Sequence, residues 1–465
     1  MNIEVSNIIK ISGCTDSQKK ALRDKYRVLN PEYITKQRLN KRLFGTPKYL
    51  EIAKVIGDDI ILPHGIISEL KAGVEITEKY SDFESVEYNS TIELRDYQQK
   101  AIDSAINQGC GVLQLPCGAG KTMIGLGLIA QIGGRALWLT NKKELLQQAK
   151  DRAKEYFKCD KSYFGTITEG KENASKLTFA TVQTLANKDL DDYKDYFDIV
   201  VIDECHHCVG TVKSMSQFDK VLSKLNCKYK FGLTATPKRD DGLEKAMYCI
   251  LGKTCFELSK DDIAENFCPV TVGRVTAKYD GQGNEYIDDI DEITDVDGTL
   301  NPSKLGEFLS NNETRNKTII GVLADLKGEP TLVLSARTKH LQNLKELYDD
   351  TVKGKSAYID GKMTSKKAKE ERQQILDDMK NGNVDVLFAT YTLAKEGLDI
   401  PILQNVMLAY PTKNETTITQ SCGRVERVHP NKKRGFVIDI EDDERIFKRY
   451  RQTRNRIYKR LNYEC

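Results

Sequence analysis

Short apolar runs punctuate this chain, and several are separated by stretches in which apolar positions return every three or four residues. Gly111–Leu115, Ala136–Leu139, Leu177–Ala180, Ile199–Ile202 and Phe231–Leu233 are such runs, and Lys142–Tyr156 is an amphipathic stretch between two of them. Runs of this length read as strands buried on both faces, and the intervening period reads as helix, so residues 89–260 predict βαβ units around a parallel sheet. The same alternation returns in residues 305–465. There Thr331–Leu334, Val384–Ala389, Val406–Leu408 and Phe436–Ile440 read as strands and Lys366–Met379 as a helix. Residues 1–88 differ: basic helical stretches surround a short β-like passage, Asp59–Pro63, and a polar run, Ser81–Thr91, closes the region. Residues 261–304 read as a linker or insertion, with Tyr279–Thr299 rich in Gly and acids and poor in apolar residues. The expected fold is α/β, with two lobes built on parallel sheets and a small N-terminal accessory domain.

Composition narrows the class without changing this picture. The chain has 465 residues, too many for one ordinary core, with 39% hydrophobic and 30% charged residues, as in a globular protein. The longest apolar runs fall short of a membrane span, and Met1–Lys10 lacks the pattern of a secretory signal. A cytoplasmic setting is expected, bacterial or host if the source is viral, with the cysteines as reduced thiols. Net charge is +3, but its distribution is uneven. Residues 1–50 carry eleven Lys/Arg against four acids, with Tyr26, Tyr33 and Phe44 interleaved, and Arg445–Arg460 is basic again, with Tyr450 and Tyr458. Both stretches are candidates for phosphate contact and base stacking. Trp138, inside an expected strand, reads as core.

The candidate chemistry lies at two strand ends. Gly111–Leu115 leads into Pro116, Cys117, Gly118, Ala119, Gly120, Lys121 and Thr122, followed by the helical run Met123–Gln131. A strand, a glycine turn and a helix start form a phosphate cradle: backbone N–H groups and the helix dipole face the anion, and glycine permits close approach and positive φ. Lys121 would neutralise the β/γ-phosphates of ATP, and the Thr122 hydroxyl would hold Mg²⁺. The strict P-loop pattern has glycine five residues before Gly120, where this chain has Leu115. The second strand end is Phe197–Ile202, apolar apart from Asp198, followed by Asp203 and Glu204. One carboxylate can anchor Mg²⁺ while the next polarises the attacking water. Cys205-His206-His207-Cys208 invites a zinc reading, which is set aside because four consecutive ligands do not wrap one tetrahedral ion.

In this order the motifs resemble those of a superfamily 2 helicase of the DExH type, over residues 90–440. Leu94-Arg95-Asp96-Tyr97-Gln98 resembles the adenine-side motif, which implies nucleotide contacts for Arg95 and Gln98. Pro116–Thr122 resembles motif I, and Leu137–Gln147 and Phe179–Leu185 resemble the strand-contacting motifs Ia and Ib. Asp203-Glu204-Cys205-His206 resembles motif II, and Thr234-Ala235-Thr236-Pro237 resembles motif III. The resemblance gives His206, Thr234 and Thr236 a part in coupling nucleotide state to nucleic acid. Val333–Arg337 resembles motif IV, and Thr390 with Gly397-Leu398-Asp399-Ile400-Pro401 resembles motif V, with Gly397 and Asp399 near the ribose. Gln420–Arg427 resembles motif VI; positions 420, 424 and 427 would share one helix face, presenting Gln420 and the finger arginines Arg424 and Arg427. Within the superfamily the look is nearest to the XPB and phage DNA helicase branch, although Arg239-Asp240-Asp241 stands where XPB proteins carry Arg-Glu-Asp.

The resemblance implies two RecA-like lobes with ATP and Mg²⁺ between them, and an ATP-dependent DNA helicase or translocase acting in repair, recombination or replication. Nucleic acid is the expected partner, with DNA favoured over RNA, no membrane, and a monomer or transient assembly. An RNA helicase, the motor subunit of a restriction complex, and a non-catalytic nucleic-acid-binding scaffold are the competing readings.

Overall fold

The computed structural model describes all residues except 1, 71–74, 208, 210, 236, 238–241, 278–292, 295–300, 362, 364, 396, 397, 399 and 443–446. The chain divides into two compact units, Met1–Asp262 and Ile263–Cys465.

The first unit is organised by an eight-stranded sheet. Its order is Lys171–Asn173, Phe164–Thr168, Leu177–Thr181, Ala136–Thr140, Ile199–Asp203, Tyr229–Thr234, Cys110–Gln114 and Thr254–Glu257. All the pairings are parallel except that of the outermost strand, Lys171–Asn173. The three central strands Ala136–Thr140, Leu177–Thr181 and Ile199–Asp203 are buried at every position, which is why their sequences are runs rather than alternations. Trp138 lies fully buried in the second of the expected runs, as core. The carboxyl ends of Cys110–Gln114, Ile199–Asp203 and Tyr229–Thr234 lie side by side, where open parallel sheets bind ligands.

Residues before about 88 form a five-stranded sheet that includes the expected strand Asp59–Pro63. This sheet packs on the larger one within the same unit. Lys54 pairs with Asp219 at 2.7 Å and Lys228 with Glu78 at 3.1 Å. Gly65 lies so close to Leu251 and Gly252 that a Cβ would come within 2.1 Å of the Gly252 backbone nitrogen.

The second unit has a six-stranded, wholly parallel sheet: Val270–Ala277, Gly435–Asp442, Asn405–Leu408, Thr331–Ser335, Val386–Thr390 and Ser356–Ile359. Val270–Ala277 lies in the stretch expected as a linker. It instead pairs along eight positions with Gly435–Asp442, as an edge strand buried only intermittently, so its sequence lacks a continuous apolar run. The second unit therefore starts well before residue 305. The expected insertion Tyr279–Thr299 lies outside the described residues apart from Ile293 and Thr294.

Two buried ion pairs tie helices to this sheet. Arg315, on helix Glu313–Asp325, meets Asp442 through Nε at 2.8 Å and Nη2 at 3.3 Å, and also donates to the Ala409 carbonyl. Arg454, on the C-terminal helix Lys448–Arg460, pairs with Asp439 at 3.1 Å, and the Tyr458 hydroxyl donates to the same carboxylate at 2.9 Å. The basic stretch read above as a candidate for phosphate contact is a helix with one buried side. Arg454, Ile457 and Tyr458 form a buried face, Tyr450 and Arg451 are half-buried, with Arg451 donating to the Asp442 carbonyl at 3.0 Å, and Lys448, Arg449, Arg456, Lys459 and Arg460 are exposed. Arg445 falls outside the described residues.

Candidate active site: a nucleotide centre at the strand ends of the first unit

The phosphate loop takes its shape from three features of the sequence. Gly118 and Gly120 adopt positive φ, +88° and +80°, which residues with a Cβ seldom reach. Gly120 caps the helix Lys121–Ile132, so the free N–H groups of that helix open into the loop. Leu115, the departure from the strict pattern, is fully buried, and its N–H donates to the Thr234 carbonyl at 2.8 Å. At this position the chain is still sheet and core, and the turn begins one residue later.

The loop is held from below by the helix Asp96–Gln108. The Gln98 amide donates to the Ala119 carbonyl at 3.1 Å and its oxygen accepts from the Arg95 N–H at 3.0 Å. The Tyr97 hydroxyl reaches the same Ala119 carbonyl at 3.2 Å. Gln98, expected to face the nucleotide base, is buried here with its amide turned onto the loop. Arg95 is exposed at the helix start, its guanidinium 3.3 Å from the Tyr97 hydroxyl. The part of Tyr97 in bracing the loop was missed; its adjacency to Gln98 was the available signal.

Lys121, Asp203, Glu204, His206 and Thr234 come together. The Lys121 ammonium lies 2.8 Å from Glu204, whose other carboxylate oxygen is 3.4 Å from His206 Nδ1. His206 Nδ1 in turn lies 2.8 Å from the Thr234 hydroxyl. Glu204 sits at φ +49°, a left-handed backbone that costs energy in a residue other than glycine, and its N–H folds back onto the Asp203 carboxylate at 3.0 Å. This turn sends the adjacent carboxylates toward different partners, Asp203 to the Glu204 N–H and Glu204 to Lys121.

Their electrostatics diverge accordingly. Burial, reinforced by the charge of Glu204, pushes Asp203 up to about 7. Burial also works against the charge of Glu204, but the Lys121 ammonium and the neighbouring histidines outweigh it and hold Glu204 at about 2. Lys121 is desolvated too, yet the two carboxylates keep it above the usual lysine range. The buried Asp203 carboxylate at its strand end and the Thr122 hydroxyl in the first turn of helix Lys121–Ile132 are hard oxygen donors of the kind Mg²⁺ takes. The residues fit the ion.

In the second unit, Gln420 lies in the last turn of the helix Glu415–Cys422, buried, with its side-chain oxygen unpartnered. The expected single helix face through residue 427 is corrected. The helix stops at Cys422, Gly423 caps it, and Arg424 and Val425 continue in tight turns bonded to Ser421 and Cys422. The Arg424 guanidinium is engaged by the carbonyls of Ala394 and Leu398, at 2.9 and 3.1 Å, so it ties motif VI to motif V. Arg427 is half-exposed beyond the turn. Thr236, Gly397 and Asp399 lie outside the described residues.

Comparison with known proteins agrees with this arrangement. Residues 91–239 match the family of the type III restriction enzyme res subunit, and residues 314–429 match the helicase conserved C-terminal domain, together more than half of the chain. A protein of Acanthamoeba polyphaga mimivirus, named as an ATP-dependent RNA helicase, is 29% identical over 93% of this chain and 78% of its own. An XPB-type protein of Sulfurisphaera tokodaii, named a DNA 3'-5' translocase, is 24% identical over 72% of this chain and 79% of its own. The chain spans between about two thirds and four fifths of the length of the first curated relatives it matches. Dbp5 of S. cerevisiae, solved with RNA and ADP BeF3, superposes with a TM-score of 0.53 over 79% of this chain and 87% of its own, at 17% identity, a likeness of fold. Each unit carries one RecA-like parallel sheet, and no described helix is long and apolar enough to cross a membrane. The chain belongs to the superfamily 2 helicases, ATP-dependent enzymes that act on nucleic acid, in the branch that holds the XPB and phage helicases.

Proposed function

We propose that the chain is a DNA helicase or translocase that couples ATP hydrolysis to movement along DNA or to its remodelling, in repair, recombination or replication. The observation that carries this reading is the row of polar side chains Lys121, Glu204, His206 and Thr234, spaced at 2.8, 3.4 and 2.8 Å. It joins the phosphate loop to the end of a neighbouring strand, so a change at the nucleotide has a direct route to motif III. In this reading Lys121 leaves Glu204 for the β/γ-phosphates, and the freed carboxylate polarises the attacking water. Thr122 and Asp203 would hold Mg²⁺, which would supply positive charge to neutralise the phosphates. Arg95 serves the adenine side, with Gln98 bracing the loop beside it unless its amide turns outward to the base, Gly397 and Asp399 serve the ribose, and Thr236 shares in the coupling. Gln420, Arg424 and Arg427 contribute to hydrolysis from the second unit.

The names of the XPB-type relatives support DNA, whereas the mimivirus relative's name favours RNA and keeps an RNA helicase as the second reading. The two separate on ATPase rate measured with single-stranded DNA and with RNA of matched sequence. Stimulation by DNA well above that by RNA is expected, and the reverse order would replace the DNA reading by the RNA one.

A further inference from the structure

Cations in the first fifty residues differ in their partners. Lys10, Arg23, Lys25, Arg27 and Lys36 each lie within 3.5 Å of an acid. Arg38, Lys41 and Arg42 are exposed and have no acidic partner among the described residues. Sequence explains the difference: residues 33–50 contain five Lys/Arg and no Asp or Glu. Arg38, Lys41 and Arg42 cluster on one loop, whose tip carries Phe44 at 98% exposure with Leu39 at 57%.

The loop is built rather than slack. Helix Pro31–Arg38 ends with Asn40 at φ +48°, and the Lys41 N–H returns to the Lys36 carbonyl at 2.8 Å, a helix stop of the Schellman kind. A turn closes Leu43 onto Thr46, with Gly45 at φ +73°. Lys36 donates to the Thr46 hydroxyl at 2.6 Å, and Asn30 donates to the Pro47 carbonyl at 2.9 Å, fixing both stems of the loop. The strands Arg27–Leu29 and Tyr49–Glu51 pair beneath it.

A phenyl ring held almost wholly in water forgoes the stabilisation that burial would give it. Here it is held there by a hydrogen-bonded frame and flanked by unpaired cations. Flat aromatic surface beside positive charge, on a stretch of sequence without Asp or Glu, matches a polynucleotide strand with an unstacked base: the ring offers a stacking face and the cations meet phosphates. We propose that the loop of residues 38–45 is a strand-engaging pin, with Phe44 stacking on a base of single-stranded DNA and Arg38, Lys41 and Arg42 gripping the adjacent phosphates. Tyr26 has no such part, since it is buried and its hydroxyl donates to Glu69 at 2.9 Å. The pin rests on the proposed DNA motor and supplies that motor with a contact outside the RecA-like lobes.

The test is equilibrium binding of the full chain to a single-stranded DNA oligonucleotide carrying 2-aminopurine, with matched RNA and anionic phosphatidylserine vesicles as further arms. Phe44→Ala should weaken DNA binding roughly tenfold and abolish the fluorescence change on binding, and Phe44→Trp should restore both. The double variant Lys41→Ala with Arg42→Ala should lower the slope of log Kd against log salt by about 1.4. Melting temperatures equal to wild type exclude a folding defect. Unchanged Kd and fluorescence in the variants, with normal wild-type binding, would overturn the pin alone. So would a Phe44→Ala defect seen only with vesicles or only with RNA. Failure of the wild-type chain to bind any nucleic acid would remove the motor reading and the pin together.

Discussion

Glu204 is poised between two partners. Its carboxylate pairs with Lys121, and in the proposed reaction that pair separates so that each group can act, one on phosphate and the other on water. Lys121→Ala is therefore expected to abolish ATP turnover, and Glu204→Gln to keep nucleotide binding while lowering turnover by about 10²–10⁴-fold. Steady-state hydrolysis together with binding of a fluorescent ATP analogue checks both, and near-wild-type turnover in either variant would remove the site. Asp203 gives a second expectation. Its folded pKa, about 7, lies above the ordinary 3.8, so between these values the folded chain binds the extra proton and its stability falls as pH rises. Asp203→Asn should flatten that part of the fall, read by urea unfolding of the ligand-free chain at about pH 5 and about pH 7.5. An unchanged slope would show that Asp203 does not titrate there. Lys121, Asp203 and Glu204 were legible because their motifs are local and tied to strand ends. The inward turn of Gln98 and the left-handed backbone of Glu204 were not. Each depends on a partner, the Ala119 carbonyl or the Lys121 ammonium, that only the folded chain brings close.

Elements buried on both faces announced themselves, and those buried on one face did not. Ile199–Asp203 reads as a strand from its apolar run, whereas the edge strand Val270–Ala277 mixes Thr, Gly and Arg into the run and passes for linker. Helix ends were similarly opaque. Spacing placed Gln420, Arg424 and Arg427 on one face, but Gly423 ends the helix and the Arg424 guanidinium is taken by two carbonyls of motif V. In the C-terminal helix a run of cations concealed a buried face, because Arg454 is neutralised by Asp439 on a strand of the sheet. The strongest energetic expectation at this scale concerns Arg315. Its guanidinium and the Asp442 carboxylate are both fully buried, so Arg315→Ala strands a charge and should cost about 3–5 kcal/mol of stability. Adding Asp442→Ala should recover part of that loss. Denaturant unfolding of the two variants decides it, and equal losses would show that the stranded charge is not the cause.

Across the whole chain, sequence pattern marked two parallel-sheet lobes, and the structure adds that residues before about 88 pack on the first lobe within one compact unit. That docking was illegible because it rests on close backbone approach at Gly65 and on ion pairs between residues far apart in sequence, neither of which leaves a periodic trace. The central claim is that hydrolysis at Lys121 and Glu204 moves this molecule along DNA. Displacement of streptavidin from the end of a biotinylated single-stranded DNA, followed with ATP and with a non-hydrolysable analogue, tests it most directly. The account predicts displacement by the wild-type chain only with ATP, and none by Glu204→Gln. Displacement that persists in Glu204→Gln, or its absence in a wild-type chain that hydrolyses ATP on the same DNA, would contradict it.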